Sequence, residues 1–140
     1  MYLRNWIFHA VCLSLLFGCA SPQKAQTANP DIRVVKSADG LIKGEIVGTP
    51  VPGSKFDKLK IGMTLKQVEN LIGPPNDTDS RITGKQYQPF YFGGDTQRTE
   101  AYYRGEGQLT FSNMHPDSAA DTLIRILFNP NATGIHMSGK

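Results

Sequence analysis

The chain has 140 residues, 39% of them hydrophobic and 19% charged, with a formal net charge of +3. That is the length of one domain, too short for two ordinary cores, and 14 glycines with 9 prolines point to many turns and short elements. No run of Lys and Arg exists to bind a nucleic acid, and 9% aromatics with a moderate charge argue against global disorder.

The N-terminus opens with one positive charge, Arg4, followed by the run Trp6–Gly18, thirteen residues in which only His9 and Ser14 are polar. A spanning helix needs roughly 20 apolar residues, so this run has instead the length of a signal-peptide core. Leu16-Phe17-Gly18-Cys19 at its end resembles the lipobox of bacterial lipoproteins. A small Gly18 lets a peptidase reach the bond, and the Cys19 thiol is the group that carries a thioether-linked diacylglycerol. Acyl chains contribute about 0.8 kcal/mol per buried methylene, so two or three of them anchor the chain stably. Cleavage there makes Cys19 the sole cysteine and excludes an intramolecular disulfide. The next residue is Ala20 rather than Asp, which in Gram-negative sorting implies transfer to the outer membrane, facing the periplasm.

Residues 1–18 are thus expected to form a lipoprotein signal peptide, and residues 19–53 a lipidated N-terminus and tether. Residues 54–140 are expected to form the domain, with a short C-terminal tail. Ala20–Asp31 is small, polar and aperiodic. Ile32–Val35 and Leu41–Val47 are short β-branched runs, broken by Gly40 and Gly44, and Thr49–Gly53 closes them in an extended segment.

Ser54 precedes a predicted helical turn over Lys55–Lys60, with Phe56 and Leu59 on one face. Thr64-Leu65-Lys66-Gln67 is a capping box, with Met63 and Val68 in the hydrophobic-staple positions. Leu65, Val68, Leu71 and Ile72 continue as one stripe, and Gly73-Pro74-Pro75 stops it, which predicts a helix over Leu65–Ile72. Tyr87–Phe92 is a strand candidate held to an edge or bulge by Pro89. Thr99–Arg104 and Gln108–Ser112 flank Gly105-Glu106-Gly107 as a hairpin. Leu123–Phe128 is the last strand, with Ile124, Ile126 and Phe128 inward and Arg125 outward. The expected fold is therefore α+β: two short helices packed on a three- to four-stranded antiparallel sheet whose other face stays wet.

The pattern Phe56-x-x-Leu59-x-Ile61-Gly62-Met63-Thr64-x-x-Gln67-Val68-x-x-Leu71-Ile72-Gly73-x-Pro75 resembles the SmpA/OmlA (BamE-like) family of outer-membrane lipoproteins. The resemblance implies two helices followed by a three-stranded antiparallel sheet, and a role in outer-membrane β-barrel assembly. Pro74–Pro89, Gly93-Gly94-Asp95 and the hairpin sequence depart from the family and mark a paralogous branch. Most of the shared motif is architectural, since caps and core positions rarely double as contacts.

No catalytic constellation is apparent, so no enzyme, cofactor or metal is expected. His115 and His136 have no spacing that suggests a shared ion, and Asn76–Ser80 lacks the glycine and distal glutamate of a calcium loop. What remains is aromatic. Tyr91, Tyr102, Tyr103 and Arg104 are the candidate partner-binding residues, because Tyr and Arg are the common interface anchors. Strand alternation should leave one of Tyr102 and Tyr103 on the open face with Tyr91, beside Arg104. The expected function is a non-enzymatic accessory in envelope integrity or β-barrel assembly, acting through protein contacts. The alternative is a periplasm-facing inhibitor or ligand-binding module.

Overall fold

A computed structural model describes residues 31–114 and 120–137. Cys19 lies outside the described residues. Strand β1 (Ile32–Lys36) runs antiparallel to β2 (Lys43–Val47), with Ile32 opposite Val47 and Lys36 opposite Lys43. Their turn is built locally: Ser37 Oγ donates to the Asp39 carboxylate and accepts the Ile42 N–H at 3.0 Å, while Asp39 Oδ1 accepts the Leu41 N–H at 3.0 Å. Such Asx-type bonds replace the ladder where the chain reverses.

Beyond the Pro-rich segment come helix α1 (Leu65–Ile72), β3 (Asp77–Ile82), β4 (Gln97–Tyr103), β5 (Gly107–Ser112) and β6 (Thr122–Phe128). All six strands form one sheet in the order β1-β2-β6-β5-β4-β3. Every pair is antiparallel except β2 with β6, which run parallel with Glu45 opposite Arg125 and Val47 opposite Leu127. Parallel neighbours need a crossover, and here the crossover is the whole chain between them.

The expected fold class is therefore corrected. Among the described residues one α-helix, not two, packs on a six-stranded mixed sheet, not a three- to four-stranded antiparallel one. The two-helix arrangement that the resemblance implied is corrected with it. Lys55–Lys58 forms a single 3-10 turn, because Leu59 already leaves in extended geometry (φ −85°, ψ 149°). Eight residues between Gly53 and Gly62 are too few to offset the cost of nucleating an α-helix. Tyr87–Phe92 is not a strand: a 3-10 turn over Gly84–Tyr87 consumes its start, and Phe90 adopts φ 61°. Pro89 removes one ladder donor, and the neighbouring N–H groups bond locally, Gln88 to Lys85 O and Tyr91 to Gln88 O. In its place the polar segment Asp77–Ile82 supplies the edge strand beside β4.

The capping box of α1 is present in both halves. Thr64 Oγ1 accepts the Gln67 N–H at 3.2 Å, and Gln67 Oε1 accepts the Thr64 N–H at 2.9 Å. Val68 and Ile72 are buried, whereas Leu71, expected in the same stripe, is 45% exposed. The helix covers a core of Ile42, Phe56, Leu59, Ile61, Leu109, Phe111, Leu123 and Ile126, among others. Phe56 is its hub, edge-on to Tyr103 (5.4 Å between centroids) and to Phe128 (5.9 Å). A bulge in β6 sets the packing. Thr110 faces Arg125 but Phe111 faces Leu123, leaving Ile124 unopposed. The extra residue turns both Leu123 and Ile126 toward the core, while Ile124 and Phe128 pack at its margin, half-buried. Gly44 makes the β2–β6 approach possible, since a Cβ there would lie 2.5 Å from Ile124 O and 2.7 Å from Ile61 Cγ2.

Candidate functional site on the open sheet face

With α1 on one face, alternation assigns the other. Register places Asp77, Asp79 and Arg81 of β3 beside Tyr102, Glu100 and Arg98 of β4, and these beside Gln108, Thr110 and Ser112 of β5. Asp79 and Glu100 stand directly opposite each other. Like charges so placed repel. Arg81 answers this with one Nη2, which donates to Glu100 Oε2 at 2.8 Å and Asp79 Oδ2 at 3.2 Å.

The C-terminal segment returns over this face. Ala132 O accepts the Gly105 N–H at 2.9 Å, and Thr133 O accepts Arg104 Nε at 3.2 Å. The His136 N–H donates to Asp77 Oδ2 at 2.9 Å. Between the tail and the sheet lies a groove of about 740 Å³, lined by Asp79, Arg81, Glu100, Tyr102, Leu127 and His136, with other tail residues. The Tyr102 hydroxyl donates to Glu100 Oε2 at 2.6 Å and lies 2.8 Å from His136 Nδ1. A carboxylate can only accept, so the single phenolic proton goes to Glu100 and the phenol oxygen accepts from Nδ1–H. In the neutral ring the lone pair then sits on Nε2. Burial, followed by the Glu100 hydrogen bond, raises the Tyr102 pKa above its ordinary value, so the phenol stays a donor.

A second polar cluster pins the loop before β4. Asp95, whose side chain is 3% exposed, grips Arg98 with both oxygens, Nε at 2.8 Å and Nη2 at 2.9 Å. It also accepts Lys85 Nζ and Ser112 Oγ, each at 2.8 Å. Arg98 above all, then Lys85 and Ser112, hold this carboxyl well below the usual range against the opposing effect of burial. Thr83 Oγ1 donates to Asp95 O at 2.6 Å, so the backbone is fixed as well. The carboxylate is saturated by its own partners, and its work is architectural.

The expected binding residues divide accordingly. Tyr102 is on the open face and lines the groove. Tyr103 points the other way, 2% exposed, with its hydroxyl donating to Gly73 O at 3.1 Å. Burial pushes its pKa up to about 12. Arg104 is exposed and holds the tail through Thr133, with its N–H on Asn76 Oδ1 at 2.8 Å. Tyr91 belongs to the Asp95 loop, where its hydroxyl donates to Gly94 O at 2.6 Å. Asp79, Arg81, Glu100 and His136 line the groove without being marked by the sequence. Asp79 sits in an all-polar run with no apolar residue to mark a strand face, and His136 arrives only through the tail's return. No protein-family model, curated protein or solved structure matches this chain.

Proposed function

We propose that this chain is a lipid-anchored protein of the outer membrane that faces the periplasm and acts without catalysis in envelope integrity or β-barrel assembly. It binds a protein partner on the open face of its sheet. The observation that carries this reading is the groove there, in which Tyr102 and Arg81 stand beside tail and strand residues on a rigid six-stranded platform. Tyr and Arg on a fixed surface are the groups that anchor protein interfaces, and the opposite face is occupied by α1 and Phe56. The lipobox-like Leu16–Cys19 supports the anchor.

The groove volume of about 740 Å³ also falls within the range of small-molecule sites, which favours the ligand-binding alternative as a second reading. In-cell photo-crosslinking from Gln108 on the open face and from Lys66 on α1 separates the two. A protein adduct from Gln108 alone supports docking. The absence of any adduct, with a small molecule retained by the purified protein, supports the alternative.

A further inference from the structure

We propose that Asp79, Glu100 and His136 form a divalent-metal site of the zinc type, which ties the C-terminal tail to the sheet. One carboxylate oxygen from each acid and a ring nitrogen of His136 all lie within 4.8 Å of one another. The three come from separate places, β3, β4 and the tail, and each is already oriented. Asp79 and Glu100 are held side by side by the ladder. His136 is fixed by its N–H on Asp77 and by its ring against Tyr102, 5.5 Å between centroids. A hydrogen bond to the ring orients a histidine ligand at zinc, and the Tyr102 hydroxyl, 2.8 Å from Nδ1, makes one here.

Charge favours a cation. This part of the face sets three carboxylates, Asp77, Asp79 and Glu100, against one guanidinium, Arg81, while Arg98 is committed to Asp95. Arg81 bonds one oxygen of each ligating acid, and its side chain is 52% exposed, so it can swing into the groove as a metal enters. Two carboxylates and an imidazole suit zinc better than calcium, which takes six to eight oxygens. Zinc bonds of about 2.0–2.2 Å bring tetrahedral ligand atoms to roughly 3.3–3.5 Å apart, so the ligands close by at most about 1.5 Å. The tail can supply that movement, because a few hydrogen bonds hold it. Water from the groove takes the fourth position. Nothing in this depends on the protein-docking reading.

The test uses the full-length protein in mild detergent at neutral pH, titrated with zinc chloride and separately with magnesium chloride. Calorimetry and hydrogen exchange of the backbone at 132–137 are read together. One equivalent of zinc should bind and slow exchange in the tail, while magnesium does neither. His136→Ala and Asp79→Asn should each weaken binding at least tenfold. Arg81→Ala should tighten it, because a competing cation is removed. A purely structural ion pair predicts the opposite for Arg81, with tail protection lost and no zinc bound. Zinc bound equally well by His136→Ala would place the metal elsewhere in the chain and overturn the site, as would no binding at all. Thermal melting confirms that the variants are folded, and the isosteric Asp79→Asn keeps the test open if another variant is not.

Discussion

Tyr102 and Tyr103 are adjacent in the chain and occupy opposite sides of the sheet. The Tyr102 hydroxyl lies between Glu100 and His136 on the open face, and the Tyr103 ring packs edge-on against Phe56 in the core. One residue of register therefore separates a surface group from a structural one. Tyr103→Ala should cost about 3–5 kcal/mol through the cavity it leaves, while Tyr102→Ala should cost under about 1 kcal/mol. Urea midpoints measure both. Equal losses would mean that β4 is paired in the other register.

Asp95 tests the polar hub. Asn keeps the left-handed backbone (φ 63°) at little strain, so Asp95→Asn isolates the charge. The Asp95 partners Arg98 and Lys85 are nearly half exposed, so the loss is that of charged hydrogen bonds to a buried acceptor and should cost about 1.5–3 kcal/mol. The pH dependence follows from the same contacts. The folded carboxyl titrates well below 3.8, so its contribution is complete above that value and fades as pH falls toward the lower folded value. The wild-type protein should therefore lose stability more steeply than Asp95→Asn on acidification below about pH 4. Parallel acid limbs in the two stability curves would show that Asp95 is not the group responsible.

The capping box makes a local prediction. Thr64→Ala removes the acceptor for the Gln67 N–H and should cost about 1 kcal/mol. Val68→Asp places a carboxylate in a fully buried position and should unfold the domain. Circular dichroism during thermal melting distinguishes a shifted transition from a missing one.

How much of this was legible depended on where each element's partners lie. Helix α1 could be read because its cap, staple and stop are all within a dozen residues of one another. The β4–β5 hairpin could be read because Gly105-Glu106-Gly107 sits between two alternating runs. Strand β3 could not, since Asp77–Ser80 has no apolar residue to mark a face, and its order comes from the ladder with β4. Ile32–Val35 and Leu41–Val47 are visible as β-branched runs, but their place in the sheet is not, because the stretch β2 pairs with, Arg125–Leu127, lies far along the chain. The Tyr102–Tyr103 alternation was visible, but only the position of Phe56 decides which ring is buried.

The anchor is tested separately from the fold. Replacing Cys19 by Ser removes the thiol proposed to carry the lipid, so metabolic labelling with a clickable fatty acid should mark the wild-type protein and not the variant. Label retained by Cys19→Ser would contradict the lipoprotein assignment.

The central claim is that the open face of the sheet is the working surface. Its most direct test is a Tyr102→Ala/Arg104→Ala protein returned to a deletion strain that is sensitive to detergent. Both residues are away from the core, so the unfolding free energy in urea should change by under about 1 kcal/mol and fatty-acid labelling should be unchanged. The account predicts that this folded, anchored protein fails to restore detergent resistance, whereas a control change on the helix face, Lys66→Ala, restores it fully. Full restoration by the double variant would contradict the account.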